Sequence, residues 1–269
     1  MKIRHQIAEL YGAWLPNALL ELDPRETKAT CDSCAMAPSR HRGKTTYRED
    51  LKCCTYQPWL PNYIVGAILS DERDSNRVGR EAILKKISRR EYTLPIGIFP
   101  PVRYQVEFNQ RAEGEFGWRE DWLCPYFNHE AQNCGLWRHR GSVCTSYYCK
   151  SDQKAAGKRF WKSLESYLHY VEMALAEEVL AHLDFSPRQV SEMLDYMNRQ
   201  EGTVAELRSW VMPAAKFKKL WNFYEDPVAF YKKTYEVAKA QSREDVELLM
   251  GDLGDLLRET VLVDMRCFQ

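Results

Sequence analysis

The chain has 269 residues, with 38 lysines plus arginines against 38 aspartates plus glutamates. Such a balance creates no global field for nucleic acid or an anionic bilayer, so there is no strong nucleic-acid signal. No apolar run is long enough to span a bilayer, and the expectation is a soluble protein with no membrane partner.

In chain order, Ile7, Leu10, Tyr11, Trp14 and Leu15 recur at helical spacing and predict one short helix, interrupted at Pro16. Thr55 to Asn62 contains Pro58 and Pro61 and reads as a rigid, turn-rich passage. Asn62 is placed to cap a helix through Tyr63, Val65, Ile68 and Leu69, although the β-branched residues also allow a strand. Val78 to Arg90 predicts a helix with Ile83, Leu84 and Ile87 on one side. Between Tyr92 and Phe108, prolines and the alternation Tyr104-Gln105-Val106-Glu107-Phe108 predict one or two short strands or a hairpin.

From Lys158 the pattern becomes helical throughout. Phe160, Trp161, Leu164, Leu168, Val171, Leu175, Val179 and Leu183 form a broad stripe suited to a long bundle helix. Ser186-Pro187 predicts a restart through Val190, Leu194 and Met197, with Gly202 beyond its end. Further helices are expected over 204–211, 214–224 and 227–240. The last begins at Ser242, where Ser242-Arg243-Glu244-Asp245 resembles a capping box with aspartate in place of glutamate. A soft boundary near Ser151 to Gly157 divides a cysteine-rich region, residues 1–154, from a helical bundle, residues 155–269, expected as one continuous unit. The fold class expected is mainly α: an irregular cysteine-rich, metal-binding region with short β-strands, packed against a C-terminal helical bundle.

Eight of the nine cysteines fall in two groups: Cys31, Cys34, Cys53 and Cys54, then Cys124, Cys134, Cys144 and Cys149. A hydrophobic core has no reason to gather eight thiols beside so many charged and turn-forming neighbours. The Cys31-x2-Cys34 pair has the separation that lets two thiolates converge on one ion, and four thiolates make a closed soft site. A disulfide framework is the rival. Against it stand an N-terminus without the apolar segment of an export signal, a length that needs no staples, and adjacent Cys53 and Cys54, whose side chains diverge in an extended backbone. A reducing, cytoplasmic setting is expected. All eight cysteines are therefore candidate metal and cofactor ligands, with Cys267 apart from both groups. Tetrathiolate chemistry suits an iron-sulfur cluster, the first choice, and zinc, the alternative. The residues leave open one centre or two, and the spacings of ordinary ferredoxins, haem attachment, radical S-adenosylmethionine clusters and His-Glu-x-x-His proteases are absent.

The segments Cys31-Asp32-Ser33-Cys34, Cys53-Cys54, Cys124-Pro125-Tyr126, Cys134-Gly135-Leu136 and Arg140 through Cys149 resemble the YkgJ-like zinc- or iron-chelating cysteine-cluster family, which includes flagellin lysine N-methylase proteins. The first group departs from the family's compact arrangement through the long stretch between Cys34 and Cys53. The resemblance implies metal binding and keeps protein methylation in view.

His41, His129 and His139 are further donor candidates or hydrogen-bonding residues. Arg138 and Arg140 are placed to offset thiolate charge or to face solvent, and Tyr147 and Tyr148 to shield the centre. Asp121, Glu130 and Asp152 lie near cysteines in sequence and are candidates for handling protons, while no catalytic residue is identified. The leading expectation is an iron-sulfur or zinc protein in redox or electron-transfer work. The alternatives are a metal- or S-adenosylmethionine-dependent protein-modifying enzyme and a structural zinc module that binds a protein partner.

Overall fold

The computed structural model describes residues 2–28, 34–221 and 224–269. Most of them are helical, with small antiparallel sheets between the helices. The predicted N-terminal helix is a tight 3-10 segment, Glu9–Ala13, followed by α1 (Asn17–Glu21) immediately after Pro16. Residues 35–56 alternate turns with irregular backbone, and β1 (Leu60–Pro61) then leads into α2 (Asn62–Ser70). The helical alternative thus holds over Tyr63–Leu69. Asn62 is not its N-cap, however: Pro61 is, and the Asn62 side-chain Nδ2 donates to the Ala176 carbonyl at 3.1 Å while its Oδ1 accepts the Tyr63 amide at 2.8 Å.

Helix α3 (Arg77–Arg89) ends at Arg90, whose left-handed conformation (φ 58°) closes the C-terminus. Strands β2 (Thr93–Leu94) and β3 (Gly97–Ile98) form the expected hairpin, and β3 also pairs with β1, placing Leu60 and Thr93 on either side of Ile98. The rest of that prediction is corrected: Tyr104 to Phe108 belongs to α4 (Val102–Asn109). A five-residue alternation also puts Tyr104 and Phe108 at i and i+4, where their rings stack at 5.4 Å, and Arg103 pairs with Glu107 at 2.8 Å on the same spacing. Strands β4 (Phe127–Asn128) and β5 (Asn133–Cys134) make a second small antiparallel pair, followed by α5 (Ser142–Ser146).

The C-terminal helices are α6 (Lys154–Ala181), α7 (Pro187–Leu194), α8 (Val204–Arg208), α9 (Ala214–Trp221), α10 (Pro227–Lys239) and α11 (Arg243–Asp264). Their starts are set by side chains. Ser186 and Gln189, Thr203 and Glu206, and Ser242 and Asp245 each form a reciprocal capping box, and Asp226 caps α10. Aspartate closes the third box because the Ser242 amide reaches Asp245 Oδ2 at 2.9 Å while Ser242 Oγ accepts from the Asp245 amide at 3.1 Å.

One apolar core runs through both halves, from Ile3 and Trp14 through α2 and α6 to Val261 and Met265. Helix α2 is buried along nearly its whole length, and α10 crosses it at Gly66. A Cβ at Gly66 would lie 1.9 Å from the Tyr231 carbonyl oxygen, so the crossing depends on a bare α-carbon. No helix among the described residues is long and apolar enough to cross a membrane.

Gly66→Ala is expected to destabilise the protein by about 1–3 kcal/mol through overpacking. Urea unfolding measures this, and Gly12→Ala is the comparison, since a Cβ at Gly12 meets nothing within 4 Å.

Candidate functional site

The first cysteine group is carried on turns. Cys31 lies outside the described residues; the Cys34 carbonyl accepts the Ala37 amide at 3.2 Å. From Arg48 to Tyr56 the chain coils tightly, with Lys52 N–H donating to Arg48 O at 2.8 Å and Cys54 N–H to Leu51 O at 3.1 Å. This curvature changes the expected relation of Cys53 and Cys54. The backbone is not extended there, and the two thiols are close enough to interact instead of diverging. The Cys54 carbonyl accepts the Cys124 amide at 2.7 Å, so a main-chain bond joins the two sequence groups directly.

The second group is spread over a turn, β5, α5 and the segment after α5. Cys124 O accepts the Phe127 amide at 3.0 Å, and Phe127 pairs with Cys134 across the β4–β5 ladder. The Cys134 sulfur accepts the Leu136 amide at 3.4 Å. Cys144 lies within α5, which is fastened by a buried carboxylate on α6. Glu172 accepts from the Ser142 amide at 2.6 Å, the Ser142 hydroxyl at 2.7 Å and the Tyr11 hydroxyl at 2.8 Å. Just beyond Cys149, Glu26 takes the Ser151 hydroxyl at 2.6 Å, the Asp152 amide at 2.7 Å and the Trp161 indole N–H at 2.8 Å. Two carboxylates thus tie the Cys144–Cys149 segment to the helical scaffold.

In space the thiols regroup across the sequence division. Cys149 lies within electrostatic reach of Cys53 and Cys34, while Cys144 lies within reach of Cys134 and Cys53, and Cys124 of Cys134 and Cys144. Cys53 therefore links the two neighbourhoods. Interaction with the Cys54 thiol, then burial, raises its pKa well above the usual thiol range. Burial, then the neighbouring sulfurs, raises Cys124 and Cys144 in the same direction and pushes Cys149 up to about 11. These four are neutral thiols near pH 7, and a bound cation would favour the thiolate. All eight described cysteines, Cys267 included, are free of disulfides.

Charged and aromatic neighbours separate into those that reach the thiols and those engaged elsewhere. Arg140 donates to the Cys144 carbonyl at 3.2 Å and to the Gln6 carbonyl at 3.0 Å, and its field favours the thiolates of Cys53 and Cys144. Buried Lys86, paired with Glu91 at 3.5 Å, does the same for Cys124. Arg138 instead reaches Glu9 at 2.7 Å. The Tyr47 and Tyr147 hydroxyls meet at 2.7 Å beside Cys53 and Cys149, whereas Tyr148 stacks on Trp161 at 4.1 Å. His41 Nδ1 meets Lys150 at 3.0 Å, His129 packs on the Phe127 ring, and His139 Nε2 is 2.8 Å from Asp71. Asp121 pairs with Arg119, and Asp152 with Lys28, at 2.5 and 3.4 Å.

The fit to a metal is chemical before it is geometric. The donors are soft, partly buried and near two cations, yet among the described residues no three His, Cys, Asp or Glu side chains are arranged to hold an ion. Glu172, Glu26, Lys86 and Tyr47 are the residues sequence reasoning missed. Glu172 alone had a signal, as a carboxylate set among Leu168, Val171 and Leu175 in an otherwise apolar stripe. No family model matches the chain, and no match was found among curated proteins or solved structures.

Replacing Glu172 with leucine leaves buried donors on Ser142 and Tyr11 unpaired, at a cost of about 3 kcal/mol or more. Hydrogen exchange is expected to accelerate at the α5 amides before the rest of α6, with Glu172→Gln milder. A second prediction concerns acid. Burial acts to raise Asp71, but hydrogen bonds from Arg73 and His139 outweigh it and hold the carboxyl well below its usual range. Its stabilisation is present above the unfolded value of about 3.9 and lost as pH falls through and below it. Urea midpoints should therefore drop more steeply between about pH 5 and 3 in the native protein than in Asp71→Asn.

Proposed function

We propose that the protein is a thiolate metalloprotein, holding an iron-sulfur cluster in redox or electron-transfer work, with its helical half as the scaffold. The observation that carries this reading is the position of Cys53, beside Cys54 and within electrostatic reach of Cys144 and Cys149 from a separate segment of chain, with Cys34 in turn within reach of Cys149. Free thiols in a shared, partly desolvated neighbourhood repel one another when ionised, and a soft cation removes that repulsion. Arg140 and Lys86 supply only part of the compensation. The reading requires the cysteine turns to close around the centre on binding, with Cys31 joining Cys34, in the manner of sites whose metal completes their fold.

Iron-sulfur takes precedence over zinc on the size of the thiol inventory and on the family resemblance, since four thiolates hold either centre. The cytoplasm, where thiols stay reduced, is the compartment that suits it. Protein methylation stays with the family resemblance alone. The pockets at α1 and at α6–α7 have no cysteine in their walls.

Anaerobic purification followed by iron, zinc and acid-labile sulfide analysis tests the proposal. Iron with sulfide is expected, and Cys34→Ser or Cys134→Ser should reduce both while Cys267→Ser leaves them unchanged. Zinc without sulfide overturns the cluster and supports a structural zinc module; absence of every metal overturns the metalloprotein reading.

A further inference from the structure

Away from the cysteines, α6, α7 and the start of α11 enclose a groove of about 480 Å³, lined by Tyr170, Met173, Phe185, Val190, Leu194 and Leu249. Glu177 stands in this apolar wall, half-buried. Among the described residues it has neither an ion-pair partner nor a hydrogen bond, whereas its neighbour Glu178 takes His182 at 3.2 Å. Burial raises the Glu177 carboxyl above its ordinary range, a shift that a cation placed beside it would oppose.

The adjoining helix carries a second feature. At Gly251 (φ 54°, ψ −156°) α11 bends, and the Tyr170 hydroxyl bridges the bend to the groove by donating to the Met250 carbonyl at 3.3 Å. Met250, Gly254 and Val261 face the core. Leu248, Leu253, Leu256 and Val263 are instead 84, 50, 63 and 52 % exposed. Beyond the bend, Leu253, Leu256, Thr260 and Val263 recur at i, i+3, i+7 and i+10, the spacing of a face that packs on another helix. The surrounding charge is acidic, with Asp252, Glu259 and Asp264 exposed or half-exposed beside the stripe. Arg258 is already engaged by Glu247 at 3.2 Å and Asp255 at 3.0 Å.

We propose that this groove and the outer face of α11 form one docking surface for a basic amphipathic helix of a partner protein. Its apolar residues cover the exposed leucines, and a lysine or arginine reaches along the groove to Glu177. A long cationic side chain matches both demands, since its methylene stem suits the Phe185 and Leu194 walls and its head suits the carboxylate. Charge decides against a second copy of the chain: two such faces would set acidic flanks against each other.

The test uses the full chain and a synthetic helix of about 18 residues, some five turns, with leucines on one face and lysines on the other. Fluorescence anisotropy should show saturable binding, and Glu177→Gln and Leu256→Gln should each weaken it about tenfold, or roughly 1.4 kcal/mol. Leu84→Gln, on α3 and 41 % exposed, should leave it unchanged. Unfolding midpoints check that the variants remain folded. Failure to bind, equal binding of a leucine–glutamate helix, or insensitivity to both groove variants overturns the proposal. A dimer in sedimentation that Leu256→Gln dissolves overturns it in favour of self-association.

Discussion

The Glu172 carboxylate is the constraint on which the arrangement of the cysteine region depends. Its oxygens take an amide and a hydroxyl from Ser142 and a hydroxyl from Tyr11, so one side chain of α6 joins the N-terminal 3-10 segment to α5. A buried carboxylate is tolerable only when its lone pairs are filled, and these donors fill them. The requirement works in both directions, because Ser142 and Tyr11 direct these buried donors at the one carboxylate. Glu26 repeats the device nearer Cys149, through Ser151, Asp152 and Trp161. Loops without extensive secondary structure thereby acquire defined positions from rigid helices.

With those segments fastened, the thiols fall into a pattern that differs from their order along the chain. Cys149, last in sequence, neighbours Cys34 and Cys53 from the first group, and Cys54 is joined to Cys124 through the main chain. Mutual proximity and burial keep Cys53, Cys124, Cys144 and Cys149 protonated near neutral pH. Such a set is soft, neutral and close to two cationic side chains. While protonated, these thiols are poor nucleophiles, and under the proposed reading a metal would have to displace their protons.

The helical half was largely legible in the sequence because its signals are local. The α6 stripe, the Ser186-Pro187 restart and the Ser242 box each involve residues within a turn or two of one another, and each appears where the pattern placed it. Tyr104 to Phe108 misled because five residues satisfy period two and an i, i+4 pair equally, and the aromatic stack with the Arg103–Glu107 pair favours the helix. Asn62 carried a local capping signal, but the helix starts at Asn62 itself, whose side chain takes the Tyr63 amide and also reaches Ala176 across the fold. The cysteines announced themselves by number, but their neighbours in space are set by contacts such as Tyr11 to Glu172, 161 residues apart. No local pattern encodes those contacts.

The two halves divide the work in this account: carboxylate ties from α6 and the N-terminal segment position the cysteine turns, and the far side of the bundle is left for a partner. X-ray absorption at the metal edge of anaerobically purified protein tests the central claim most directly, because it reports the donor atoms themselves. The account predicts a first shell of sulfur at about 2.3 Å. A shell composed only of oxygen and nitrogen would contradict it.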